Sequence, residues 1–131
     1  MMDKQAMCDS IQKLDPLIRF VGLINDKGHK EAGGMTEGKK TLEDSKKDEM
    51  LYMGLALRVR MRQEFDSELG PVKFALSYRD KVVVMSFPIG KDILLISAER
   101  DINFCKFPFE VLKIIDQYRK WEHQISLRNE M

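Results

Sequence analysis

Few residues in this chain have the types and spacing that chemistry requires. Its two cysteines and two histidines are Cys8, Cys105, His29 and His123. None falls at the short intervals by which zinc ligands share a loop or a helix turn, and two distant thiols make no disulfide framework. No metal site is expected. The carboxylate pairs Glu43-Asp44 and Asp48-Glu49 have no histidine beside them, and adjacent charges of this kind read as solvated surface. Ser10, Ser77, Ser86 and Ser97 lack the glycine-flanked turn that exposes a nucleophilic hydroxyl. Gly38-Lys39-Lys40-Thr41 echoes a phosphate loop but lacks the upstream glycine, and no convincing strand precedes it. No catalytic residue and no cofactor site follow from these residues, so an enzyme is not expected.

What remains is charge that could meet a partner. Arg58 and Arg62 are one helical turn apart and share a flank, while Arg60 lies elsewhere on the circumference. They read either as solubilising side chains paired to Glu64, Asp66 or Glu68, or as a partner-binding set. Arg79 and Lys81 bracket a tight turn and suit a binding rim. A nucleic-acid module is the weaker alternative. With 22 basic and 21 acidic residues the net charge is +1, and three arginines on one helix make a thin electrostatic footprint.

These side chains need elements to hold them. The chain has 131 residues, 44% apolar and 33% charged, which suits one folded domain spanning 1–131. Its longest apolar runs, such as Val82-Val83-Val84-Met85 and Ile93-Leu94-Leu95-Ile96, are strand-sized and far short of the roughly 20 residues that span a bilayer. The start, MMDKQAMCDS, has no apolar run of signal-peptide type. No membrane insertion is expected, and a cytoplasmic location is the default.

Met7, Ile11 and Leu14 place a helix over 3–14, stopped at Asp15-Pro16. Leu17 to Ile24 is apolar on both faces and reads as an interior strand. Asn25 to Gly28 turns the chain into a weak return strand over 29–34, suited to an edge. A polar loop covers 36–47, with Asp48 or Ser45 available to cap the helix that follows.

That helix, over 49–66, has two apolar arcs. Met50, Met53, Gly54, Leu57, Met61 and Phe65 form one stripe, which is expected to face the sheet, with the methionines as core fillers. Tyr52, Leu55, Ala56 and Val59 form a second. A helix apolar on two sides is either sandwiched within its own domain or shared with another chain. Gly70-Pro71 ends it. Strands over 72–78, 81–87 and 93–98 follow as an antiparallel meander, with a turn over Pro88 to Asp92. Pro108 opens a last helix, in which Tyr118 and Trp121 seal the junction with the sheet, and the tail frays after about residue 125. The fold class is α+β. The order is α-β-β-α-β-β-β-α, with a five-stranded antiparallel sheet, the middle helix on one face and the terminal helices on the other.

This order resembles the roadblock/LC7 superfamily, a relative of profilin-like folds, and looks most like its small archaeal and bacterial members. The matching stretches are Val21 to Gly34, the helix from Glu49 to Asp66 and the meander from Val72 to Ala98. The resemblance implies a non-enzymatic adaptor or regulator. It implies a homodimer in which middle helices lie side by side and third strands pair into one continuous sheet, and a Ras-like small GTPase among its partners. Mapped onto this chain, the dimer surface would be Tyr52, Leu55, Ala56 and Val59 with the strand bearing Val72, Phe74 and Leu76. A small-ligand sensory domain, with a pocket between the sheet and the last helix, is the other class of function considered.

Overall fold

In a computed structural model, residues 2–42 and 44–130 are described. Glu43, one of the carboxylates weighed above, and Met131 at the end of the tail lie outside them. The elements are α1 (Lys4–Gln12), β1 (Ile18–Ile24), β2 (Lys30–Met35), α2 (Ser45–Arg62), a 3-10 turn (Gln63–Phe65) continuing into α3 (Asp66–Leu69), β3 (Ala75–Tyr78), β4 (Val83–Ile89), β5 (Asp92–Ala98) and α4 (Phe107–Glu130). The expected order is present, with α3 added where the middle helix tails off.

The strands form one antiparallel sheet in the order β2-β1-β5-β4-β3. β1 and β5 sit next to each other inside it, paired Val21 to Ile96 and Leu23 to Leu94. Their apolar residues on both faces have cover on both faces. On one side lie α1 and α4, whose Met7, Ile11, Val111 and Ile115 pack with Phe87, Leu94 and Ile96. On the other lies α2, in a smaller core with Ile24, Ile93 and Leu95. The expected helix placement holds.

β2 is the expected edge, and α1 blocks it. The Gly33 N–H donates to Gln5 Oε1 at 3.0 Å, and Gln12 Nε2 donates to the Gly34 carbonyl at 2.9 Å. Gly33 has φ +84°, and a Cβ there would run into the Val21 carbonyl, so only glycine lets β2 approach β1 this closely. β3, at the opposite edge, has β4 on one side and, among the described residues, no strand on the other.

Several boundaries differ from expectation. Neither Asp48 nor Ser45 caps α2. Asp44 does, with extended backbone and a carboxylate that accepts from the Lys47 N–H at 2.9 Å. The polar loop therefore ends at 44, not 47. Its first helical turn carries no apolar residue, so periodicity gave no sign of it. β3 begins at Ala75 rather than Val72. Its register pairs Ala75 with Ser86, and two residues further back Lys73 falls opposite Pro88, which has no N–H for the ladder. The turn expected over Pro88 to Asp92 shrinks to Gly90-Lys91, with Ile89 paired to Asp92. α4 runs to Glu130, through Leu127, Arg128 and Glu130, which favour helix, with no glycine or proline to stop it.

The start of the polar loop is pinned to the sheet. Arg19 donates to Glu99 at 2.9 Å and to the Lys40 carbonyl at 2.7 Å, Lys39 reaches Glu99 at 3.4 Å, and the Thr36 hydroxyl donates to the Ile18 carbonyl. The hydrogen bond and charge of Arg19 hold the Glu99 carboxyl below its ordinary value of 4.5. A carboxyl depressed in the folded state stabilises the fold above 4.5, and that contribution is lost as pH falls through the lowered value. Glu99→Gln is expected to cost on the order of 1 kcal/mol or less at pH 7. The gap in melting temperature from the parent should close as the pH is lowered below 4.5. A gap that stays constant with pH would show that Glu99 acts only by packing.

Candidate interaction surface

α2 determines what the protein can present. Leu55, Ala56 and Val59 are buried, and with the half-buried Tyr52 and Leu51 they face the sheet over Ile24, Ile93 and Leu95. Tyr52 stacks on Phe20 with ring centroids 6.3 Å apart. Here the structure corrects the sequence reading: this arc belongs to the chain's own core and cannot serve as a dimer surface. The small Ala56 and β-branched Val59 let the helix settle closely onto the strands. The tip of the β1–β2 turn meets it too, with Gly28 (φ +82°) against the Met53 backbone.

The stripe expected to face the sheet points the other way. Met50, Met53, Leu57 and Met61 run along the outer side of α2, and Phe65 and Leu69 continue the line through the 3-10 turn and α3. Their exposure ranges from 57% at Leu57 to 82% at Leu69. The methionines are therefore not core fillers. Both arcs are real, and their directions are exchanged.

The other expected interface residues divide. Val72 precedes β3 and is half-buried. Phe74 and Leu76 pack against the core on the α1–α4 side, where the Phe74 ring meets Phe87 and Phe109 at 5.7 and 5.6 Å. Their side chains belong to the fold, while the outer backbone edge of β3 has no strand beside it among the described residues.

The four candidate partner-binding cations are not brought together. Arg58 is exposed on α2 near Gly54. Arg62 is half-buried and lines a cleft of 330 Å³ between the end of α2, the approach to β3 and α4. Arg79 and Lys81 line a different and larger cleft, of 710 Å³, between the sheet and the first half of α2. Under the last helix Val111, Ile115 and Tyr118 are buried in the main core, with Trp121 packed against it, and the smaller cleft is the one that touches this helix, through Leu112, Ile115 and Arg119. The larger cleft, which no sequence motif marked, lies on the α2 side.

Titratable groups offer little chemistry. Cys8 is buried, and desolvation, helped by the charge of Asp9, pushes its thiol up to about 11. It stays protonated and unreactive at neutral pH. Burial, with its hydroxyl donating to Glu122 at 2.8 Å, likewise raises Tyr118. Among the described residues no cluster of three or more His, Cys, Asp or Glu could hold a metal ion. No helix among them is long and apolar enough to cross a membrane.

A model for a family of unknown function (DUF6659) matches residues 1–126. No curated protein sequence matches the chain. Solved structures do match in shape. A roadblock/LC7 domain from Streptomyces avermitilis superposes with a TM-score of 0.69 at 10% identity, covering 93% of this chain and 99% of that one. MglB of Myxococcus xanthus gives 0.69 at 15% identity, covering 91% and 94%. An MglB structure in a tetrameric arrangement gives 0.70 at 12%, covering 87% and 83%. At these identities the likeness is one of fold, and the fold is roadblock-like.

Proposed function

The chain belongs to the DUF6659 family of unknown function, and we propose that it works in the cell interior as a non-enzymatic homodimeric adaptor or regulator, one roadblock-like domain per chain, that docks a small Ras-like GTPase or another protein. The observation that carries this reading is the outer stripe of α2. Met50, Met53, Leu57, Met61, Phe65 and Leu69 are each more than half exposed. A continuous apolar ridge of this kind on a small domain marks an interaction site. A second copy suits it well. Two identical ridges related by a twofold axis are self-complementary, and pairing of two β3 edges in the same dimer would remove an exposed edge. The dimer surface therefore moves from Tyr52, Leu55, Ala56 and Val59 to the opposite side of the same helix, while β3 keeps its part through its backbone. The MglB structure in a tetrameric arrangement is a roadblock-like protein that assembles, and this supports self-association.

The GTPase partner rests on the resemblance to roadblock proteins, and the exposed Arg58 beside the stripe offers a charge for an acidic partner. Light scattering coupled to size exclusion tests the dimer. The expected result is a mass of two chains at micromolar concentration. A species that stays monomeric across that range would remove the basis of the reading.

A further inference from the structure

The side of the sheet that α2 covers is built in rows across the strands. Ile24 pairs with Ile93, and Gly22 pairs with Leu95, which in turn faces Ser86. α2 lies over these two rows through Leu55, Ala56 and Val59. A third row, Phe20–Ser97–Val84, lies beyond the turn of α2 that bears Tyr52. Upstream of that turn the helix runs out into the polar loop. The row is therefore left as the floor of the 710 Å³ cleft, walled by Leu51, Tyr52 and Val82. That volume is within the usual range for small-molecule sites, roughly 300–1,000 Å³, and an apolar floor with a few polar groups at the mouth is the usual composition of one.

The charges at the mouth are unequal. Lys30, Lys47, Arg79 and Lys81 line it, against Asp48 and Asp80. Arg19 also reaches the cleft, but Glu99 and the Lys40 carbonyl hold it. Among the described residues no ion pair holds the other four cations. Lys47 reaches the mouth from the first turn of α2, next to the Asp44 cap. Three elements (β2, α2 and the β3–β4 turn) thus converge on one apolar floor with a cationic excess, in a chain whose total charge is +1.

We propose that this cleft binds a small amphiphilic anion: a single alkyl or acyl chain lying on Phe20, Val84 and Leu95, with a carboxylate or phosphate head held by Lys47, Arg79 and Lys81. The site is separate from the outer stripe of α2 and does not depend on the dimer.

Calorimetric titration of the full chain with decanoate, decyl phosphate and decyltrimethylammonium, all below their micelle thresholds, tests it. At least one of the two anions should saturate at one per chain, and the better of them identifies the head group. The cation of equal chain length should bind at least tenfold more weakly. The double variant Arg79→Glu with Lys81→Glu alters two exposed turn residues and should keep the parent's circular dichroism. It should lose at least tenfold in affinity for the anion. Methyl NMR shifts on anion binding should fall at Leu51, Val84 and Leu95. Equal binding of the cationic amphiphile, shifts centred on Leu57 and Met61, or no saturable binding of either anion would each overturn the assignment.

Discussion

Leu57→Asp is expected to leave the protein folded and to weaken its self-association at least a hundredfold. Leu57 stands in the middle of the outer stripe of α2 and is 57% exposed. In the separate chain an aspartate there would stay hydrated, so the cost to folding should be within about 0.5 kcal/mol, as for other exposed positions. In a dimer that stacks this ridge on its twin, the symmetry axis introduces the carboxylate twice, into the middle of an apolar contact. Stripping water from an unpaired charge at an interface centre costs several kcal/mol. A hundredfold loss corresponds to only about 2.7 kcal/mol. Sedimentation equilibrium would read the affinity and circular dichroism the fold. A variant that folds and still dimerises as tightly as the parent would place the contact elsewhere.

Much of the architecture could be read from the residues because it depends on local patterns. The apolar residues of β1 and β5 on both faces required cover on both sides, and they have it. The poor strand formers between Lys30 and Gly34 marked an edge. The direction of α2 was harder. The arcs through Leu57 and through Leu55 have the same helical period, and period alone does not say which one meets the sheet. Charge does not decide it either: Lys46 and Glu64 extend the stripe through Leu57, and Asp48 and Arg62 extend the arc through Leu55 at the same spacing. Methionine content pointed the wrong way, because flexible thioethers suit an exposed contact surface as well as a core. The cleft was not visible in sequence at all. Its floor is a row of residues from three strands, and its emptiness follows from where α2 ends.

Leu55→Ala tests the same helix from its other side and should destabilise the fold by about 2–3 kcal/mol, the lower part of the range for leucine truncation in cores. Leu55 is 5% exposed and lies over Ile93 and Leu95 in the smaller of the two cores. Being small and near the rim of the cleft, that core can relax into part of the vacated volume, which places the expected cost below that of a central site such as Leu94. For a chain of this length the melting temperature should fall by roughly 10 °C. Leu57→Ala removes the same atoms one turn-face away and should cost under about 0.5 kcal/mol in the monomer. Denaturant unfolding of both variants at a protein concentration low enough to keep each monomeric keeps dimer formation from adding to either value. If truncation at 57 proved the damaging one and truncation at 55 harmless, α2 would be turned the other way on its sheet, and both the ridge and the wall of the cleft would have to be reassigned together. The two substitutions are two residues apart in sequence and differ only in which side of the helix they reach, so the sign of their difference reports the rotation of α2 directly.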